Sequence, residues 1–138
     1  MFKKILSYLI PINIYKKKSL LSKSIEVTWA NGELVLDTEN TNYSYGSLQR
    51  ILRKGLFYIS VEKIKCMQEI LILGVAGGSV IKTLRNEIGF RGKITGVEID
   101  SEIIEIANQY FELNKTENLE IIIDDAYKFV EKNSENMI

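Results

Sequence analysis

The sequence of 138 residues contains no histidine, one cysteine (Cys66) and one proline (Pro11). Without histidine, a Ser–His or Cys–His nucleophile and every His-ligated metal site are excluded. A single cysteine also excludes an internal disulfide and a zinc site built from several thiolates, which favours a reducing, cytoplasmic location. We therefore predict that the chain carries no metal centre.

Long apolar runs are lacking too. The apolar stretch at residues 5–14 is interrupted by Pro11 and flanked by lysines. It is shorter than the roughly 20 residues of a transmembrane helix, and no small-residue cleavage site of a signal peptide follows it. We predict that residues 1–22 form a basic, apolar segment that packs on its own domain or on a sister subunit. A basic anchor on a membrane surface is the alternative.

Net charge is zero, but it is unevenly distributed. Residues 1–66 carry 11 Lys/Arg against 5 Asp/Glu, and residues 67–138 carry 7 against 13. An excess of six positive charges over the front half is a small imbalance, of the kind that solvated surface lysines produce. We expect no nucleic-acid partner. With 46% apolar and 26% charged residues, the chain can bury a core and stay soluble.

The front half predicts a small β-hairpin domain over residues 23–46. Apolar and polar residues alternate from Ile25 to Trp29, then Asn31-Gly32 precedes a second apolar run. Asn-Gly between two such runs is a strong hairpin signal, because both central residues of a type I′ turn need positive φ. A third short strand near residues 43–45 would complete a sheet of two or three strands. Helices are predicted at residues 47–57 and 61–66.

From residue 69 onward the pattern alternates between strand and helix. Continuous apolar runs predict strands at residues 70–73, 94–99 and 119–123, and helical spacing predicts helices at 80–88, 103–111 and 126–132. Such a continuous apolar run is typical of a parallel strand covered on both faces. The fold class is therefore α/β, with the hairpin domain followed by a Rossmann-like nucleoside-binding domain over residues 47–138.

The chemistry-bearing pattern is a glycine bend followed by an acid. Gly74, Gly77 and Gly78 follow the first parallel strand directly, and Glu98 ends the second strand twenty residues after Gly78. Glycines there let the backbone approach a ligand, and an acid at that strand end can accept hydrogen bonds from both ribose hydroxyls. We predict a bound nucleoside, with purely structural glycines as the alternative.

The G-x-G-x-x-G fingerprint of dinucleotide sites is not met, because Ala76 and Ser79 stand where glycines would be. NAD is therefore disfavoured. Together with the segments 96–100 and 124–126, the stretch resembles the S-adenosylmethionine-dependent methyltransferase superfamily, and within it the spermidine synthase-like branch. Ile72 stands where many methyltransferases have an acid, as it does in that branch. The resemblance implies a partial class I methyltransferase sheet with the strand order 3-2-1.

The resemblance also implies a binding role for particular residues. Gly74, Ala76 and Gly77 would pass close to the methionine-derived part of the cofactor, and Glu98 would hold the ribose. The other predicted contacts are to the adenine: packing by Ile99, a hydrogen bond to Asp125, and the backbone of Ala126. Helix N-capping is an alternative role for Asp125. The cofactor would be S-adenosylmethionine or its decarboxylated form, and no catalytic residue can be assigned.

The function implied is the transfer of a methyl or aminopropyl group to a small-molecule acceptor, an amine or another nucleophile. Gly46 and Ser47 depart from the His/Gln-Glu pair of spermidine synthases, which counts against polyamine binding. Tyr43 and Tyr45 would line the cofactor cleft or pack where the hairpin meets the second domain. The alternative function is a non-catalytic cofactor-binding remnant or assembly module.

The resemblance covers only about half of the family's length, so we expect the chain to be truncated. The strand at residues 70–73 would then have an unpaired apolar edge. Exposed edges of this kind pair with another copy or aggregate. Self-association, including a homodimer, is the expected consequence.

Overall fold

The computed structural model describes residues 1–39 and 41–134 of the chain. A short helix, α1 (Phe2–Leu6), precedes a four-stranded antiparallel sheet. Its strands lie in the order of the chain: β1 (Ile12–Lys17), β2 (Ile25–Ala30), β3 (Glu33–Thr38) and β4 (Thr41–Ser44). The predicted hairpin is confirmed as β2 and β3, whose residues pair in continuous register from Ile25–Thr38 to Ala30–Glu33.

The turn between β2 and β3 has the predicted geometry. Asn31 and Gly32 have φ values of 50° and 76°, as a type I′ turn requires. Two hydrogen bonds join Ser7 to this turn: its carbonyl accepts from Asn31 N at 3.0 Å, and its hydroxyl accepts from Gly32 N at 3.0 Å. The turn therefore holds the N-terminal segment against the sheet.

The sheet has one strand more than the two or three expected, because residues 12–17 also pair with β2. The register between β1 and β2 shifts between Asn13 and Tyr15. Such a bulge breaks the strict alternation of side chains by which a strand is recognised in a sequence. Part of the predicted N-terminal segment therefore belongs to the antiparallel sheet. The predicted domain boundaries at residues 22 and 46 stay predictions.

The second half of the chain forms a three-stranded parallel sheet in the order β5-β6-β7, which confirms the predicted order. Its elements are α2 (Gly46–Ile59), α3 (Val61–Lys65), β5 (Glu69–Leu73), α4 (Ser79–Lys82), β6 (Lys93–Glu98), α5 (Ser101–Phe111), β7 (Leu119–Ile123) and α6 (Ala126–Asn133). Helix α4 continues as a π turn over Thr83–Ile88, and a 3-10 turn follows α5 at Leu113–Lys115. The last four residues of the predicted second domain lie outside the described residues.

Helix α5 connects the two sheets because it buries side chains on two sides. Ile104 and Ala107 belong to a core with the parallel strands and α4. Ile103, Ile106 and Phe111 belong to a second core with β2, β3 and Tyr45. The antiparallel sheet is thereby fixed against the parallel sheet, which places the end of β4 beside the glycine bend.

Strand β5 is one of the two outer strands of the parallel sheet in the part of the chain that the structure describes. Ile70 and Ile72 pack on the core, but Leu71 and Leu73 are 38% and 49% exposed. The expectation that this strand is covered on both faces is therefore wrong for the described residues, since no element covers the second face of β5. Self-association through this edge and a homodimer stay predictions.

Candidate functional site

The candidate site lies where the three parallel strands end. The bend at residues 74–78 follows β5, Glu98 ends β6, and Asp124-Asp125 follow β7. Two backbone hydrogen bonds join these ends: Gly74 N donates to Val97 O at 2.8 Å, and Asp124 N donates to Glu98 O at 3.1 Å. The predicted site segments therefore meet at one edge of the sheet, where open α/β sheets bind ligands.

Glu98 is only 3% exposed, and its carboxylate points at the bend. One oxygen, Oε2, accepts from Val75 N at 3.0 Å and from Ala76 N at 2.9 Å. The other oxygen, Oε1, accepts from Ile99 N at 3.0 Å and from Asp100 N at 3.1 Å. A carboxylate offers about four lone-pair positions, so the backbone alone fills its acceptor capacity.

These contacts give Glu98 a structural task that the sequence did not reveal. Holding Val75 and Ala76 from one side fixes the backbone of the bend, where Ala76 has a φ of 49°. Left-handed conformations are unusual for alanine and need support from their surroundings. The ribose-binding role of Glu98 stays a prediction, and it requires ribose hydroxyls to share or replace these backbone donors.

The glycines of the bend have different reasons for lacking a side chain. Gly74 has a φ of 84°, and a Cβ placed on it would meet nothing within 4 Å. A Cβ on Gly77 would lie 2.9 Å from Ser44 Cβ, and one on Gly78 would lie 2.7 Å from Leu113 Cδ1. Packing within the protein therefore accounts for Gly77 and Gly78, whereas only Gly74 opens onto free space.

The end of β4 holds the bend from the opposite side. Tyr45 donates its hydroxyl to Gly77 O at 2.8 Å, and its ring stacks on Phe111 with centroids 4.4 Å apart. Ser44 Oγ accepts from Ser79 N at 3.4 Å. Burial raises the pKa of the Tyr45 hydroxyl, so it stays a donor. Tyr45 therefore packs at the junction of the two sheets, which is one of the two roles predicted for it.

Tyr43 is half-buried and lies near the acids of the site. Burial raises the pKa of its hydroxyl, and the nearby charges of Glu98 and Asp100 add to the effect. Its phenol is therefore a protonated donor beside two carboxylates. Asp100 itself caps α5 by accepting from Glu102 N at 3.1 Å, and it accepts from Ser19 Oγ at 2.5 Å.

The residues predicted to contact adenine lie at the ends of β6 and β7. Ile99 follows β6 and is 49% exposed, so it offers an apolar surface at the sheet edge. Asp125 caps α6 by accepting from Lys128 N at 3.1 Å, which confirms the predicted capping role, and Ala126 begins that helix. The backbone N–H of Asp125 and the ammonium of Lys132 lower the pKa of Asp124.

The fold of this site is known from solved structures. A spermidine synthase in complex with the transition-state analogue AdoDATO superposes with a TM-score of 0.67 and 19% identity, over 88% of this chain and 43% of that one. Human methyltransferase-like protein 13 in complex with SAH superposes with a TM-score of 0.55 and 20% identity, over 67% and 42% of the two chains. The chain has a Rossmann-like methyltransferase fold.

Sequence comparison leads to the same group of proteins. The eEF1A lysine and N-terminal methyltransferase homologs of Drosophila pseudoobscura pseudoobscura and Drosophila melanogaster are each 37% identical to this chain over 65 residues. That match covers 47% of this chain and 10% of either relative, so the chain spans only a small part of their length. No protein-family model matches the sequence.

Within residues 1–39 and 41–134, no group of three or more Cys, Asp and Glu side chains is placed to hold a metal ion. None of the helices described is both long enough and apolar enough to cross a membrane. The candidate site at the sheet edge is thus built from backbone groups, carboxylates and tyrosines.

Proposed function

We propose that the carboxyl edge of the parallel sheet binds the adenosyl part of an S-adenosylmethionine-type cofactor, and that the chain is the cofactor-binding part of a transferase. The observation that carries the proposal is the open, left-handed Gly74 on the same edge as the buried carboxylate of Glu98. A backbone without a side chain beside an acid at the next strand end suits a nucleoside ligand.

Each residue of the edge has a task in this proposal. Gly74 and Ala76 face the methionine-derived part of the cofactor. Ser44 occupies the space beside the Cα of Gly77, so Gly77 contributes only its peptide groups. Ile99 packs on the adenine. Asp125 accepts from the adenine amino group while continuing to cap α6, since a carboxylate can accept several hydrogen bonds.

The task of Glu98 is the most demanding one. To accept from two ribose hydroxyls, its carboxylate must weaken contacts with one of its two pairs of backbone donors. Releasing Ile99 N and Asp100 N would leave Oε2 on the bend, so that the bend keeps its shape. Binding is therefore coupled to a small rearrangement at the end of β6.

The bound cofactor supplies the electrophile, a carbon next to a sulfonium. The chain then has to bind and orient it toward the acceptor, because direct displacement depends on alignment. Tyr43, a protonated donor near Glu98, is placed to orient a polar group at this edge. Gly46 and Ser47 favour methyl transfer over polyamine synthesis, and the acceptor is a small molecule with a nucleophilic atom.

Calorimetric titration with S-adenosylmethionine, its decarboxylated form and methylthioadenosine tests the proposal. We expect binding that Ile99→Asp weakens by about tenfold, because a carboxylate replaces the apolar contact with adenine. Asp125→Ser keeps the helix cap, since serine caps as well as aspartate does, but removes the carboxylate and should weaken binding by several-fold.

The matched control is Ile59→Asp, since Ile59 is 48% exposed, as Ile99 is 49% exposed, and it ends α2 away from the strand ends. Equal weakening by Ile59→Asp and Ile99→Asp, or no heat with any of the three compounds, would overturn the proposal. Binding without transfer to amine acceptors would identify the chain as a cofactor-binding module instead.

A further inference from the structure

A cavity of about 380 Å³ lies between the π turn after α4 and the segment that joins α5 to β7. Such a volume is within the range of small-molecule sites. Among its lining residues, Lys82, Arg85, Arg91 and Lys115 are cationic, and Glu112 and Glu117 are acidic. The cavity therefore carries an excess of two positive charges.

Arg85 is the most buried of these cations, with 8% of its surface exposed. Its guanidinium donates to three backbone carbonyls: Phe90 O at 2.7 Å, and Glu117 O and Asn118 O at 3.0 Å each. Its Nε is buried and has no hydrogen-bond partner. Carbonyl oxygens orient the guanidinium but do not neutralise it, and a buried charge without a counter-charge is costly.

The two acids that line the cavity form no ion pair with Arg85. Lys115 pairs with Glu112, three residues earlier in the chain, at 2.5 Å. Within the described part of the chain, no carboxylate lies within ion-pair distance of Lys82, Arg85 or Arg91. Burial lowers the pKa of Arg85, and the like charge of Arg91 acts in the same direction, whereas the more distant charge of Glu117 opposes them. The cluster is thus held together by the fold in spite of its mutual repulsion.

The cavity is separate from the site proposed above. Arg91 and Glu117 precede β6 and β7 in the chain, whereas Glu98 and Asp124 follow them. In a parallel sheet these positions lie at opposite ends, roughly 17 Å apart for strands of five or six residues. Lys82 lies on the side of the cavity nearer the bend, with its ammonium 5.5 Å from the centre of the Tyr45 ring, but none of the lining residues is one of those assigned to the adenosyl site.

We infer that this cavity binds the phosphate group of a phosphorylated small molecule, held by Arg85, Arg91 and Lys82. A fixed guanidinium suits phosphate oxygens, because its donors are preorganised in a plane. The phosphate would supply the missing counter-charge for Arg85. The remaining volume leaves room for an organic group, so a phosphomonoester should bind more tightly than free phosphate.

Calorimetric titration of the full chain with inorganic phosphate and with glycerol phosphate tests the inference. We expect both to bind, glycerol phosphate more tightly, and the double variant Lys82→Gln/Arg91→Gln to weaken both by about tenfold or more. Arg85 is left intact in this variant because its three carbonyl contacts support the fold. Its role is followed by the Nε–H resonance of Arg85, which should move as phosphate is added.

The matched control is Arg50→Gln/Lys54→Gln on α2, which removes the same number of charges from an exposed helix face. If this control weakens phosphate binding equally, general charge attraction accounts for it and the inference is wrong. Absence of binding at physiological salt, or an unmoved Arg85 resonance, would overturn it as well. Ile99→Asp should leave phosphate binding unchanged, so this test is independent of the adenosyl proposal.

Discussion

Each end of the parallel sheet buries an ionisable side chain, Glu98 or Arg85, that bonds to backbone groups alone, and the two have opposite results. At the carboxyl edge, Glu98 accepts from four backbone N–H groups, two on each oxygen. At the amino edge, Arg85 donates to three carbonyls and keeps an unpartnered Nε. Glu98 is fully satisfied without a ligand, whereas Arg85 is oriented but lacks a counter-charge.

The comparison shows that burial of an acid or a base does not by itself identify a binding group. Glu98 has the position expected of a ligand residue, yet its present contacts make it first a support of the bend. Arg85 has no place in any sequence motif, yet its surroundings favour an anion. The two roles differ in whether the buried group already has all of its hydrogen-bond partners, because a buried polar group without a partner lowers the stability of the fold.

Of the substitutions that test this difference, Glu98→Gln should have the largest effect. An amide nitrogen cannot accept, so two backbone N–H groups at the bend or at the start of α5 lose their acceptor and face a donor. Each unsatisfied buried group costs about 1 to 3 kcal/mol, and we expect the free energy of unfolding to fall by about 3 kcal/mol or more. Urea denaturation followed by circular dichroism measures the change.

Glu105→Gln is the control for this variant, because Glu105 is exposed on α5 and should change the free energy of unfolding by less than about 0.5 kcal/mol. If Glu98→Gln is as stable as this control, the carboxylate does not support the bend. Glu98 would then be available to a ligand without rearrangement.

Arg85→Met should have the second-largest effect. The substitution deprives three carbonyls of a donor. Asn118 O keeps its hydrogen bond from Ile94 N at 3.0 Å, so the loss of Arg85 there destabilises the fold less than it does at a carbonyl left without any partner. Removal of an uncompensated charge offsets part of the loss. We expect the free energy of unfolding to fall by about 2 kcal/mol, less than for Glu98→Gln.

Urea denaturation again provides the measurement, with Arg50→Met as the exposed control. A loss larger than that of Glu98→Gln would contradict the comparison, since it would make Arg85 the better-satisfied group. Added phosphate should raise the stability of the unsubstituted protein and leave that of Arg85→Met unchanged, because ligands stabilise only the state that binds them.

The arrangement of strands and helices in the second half follows from the sequence because each element has a clear apolar pattern. The strands predicted at residues 70–73, 94–99 and 119–123 are found at 69–73, 93–98 and 119–123. Strand β1 was missed because its bulge interrupts that pattern. The capping role of Asp125 was also predictable, since capping is a local property.

The contacts that shape the site were not predictable in the same way. Tyr45 and Gly77 are separated by 32 positions in the chain, and nothing in either segment indicates that they meet. The four donors to Glu98 are backbone groups, which every residue except proline carries, so they leave no trace in the sequence. Glycine composition likewise could not distinguish the open Gly74 from the packed Gly77.

The smallest effect is expected for Tyr45→Phe, which tests whether the hydroxyl of Tyr45 supports the bend as the carboxylate of Glu98 does. Tyr45→Phe removes the hydroxyl that donates to Gly77 O and should lower the free energy of unfolding by about 1 kcal/mol at neutral pH. Because burial raises the pKa of Tyr45 in the folded state, this share of stability is present below the unfolded value of about 10 and is lost as the pH rises above it. The difference in the free energy of unfolding between Tyr45→Phe and the unsubstituted protein should therefore shrink in urea titrations at alkaline pH. The control is Tyr58→Phe, at a residue that is 94% exposed, which should not change the free energy of unfolding at either pH. No difference for Tyr45→Phe at either pH would mean that Tyr45 supports the bend through its ring packing on Phe111 alone.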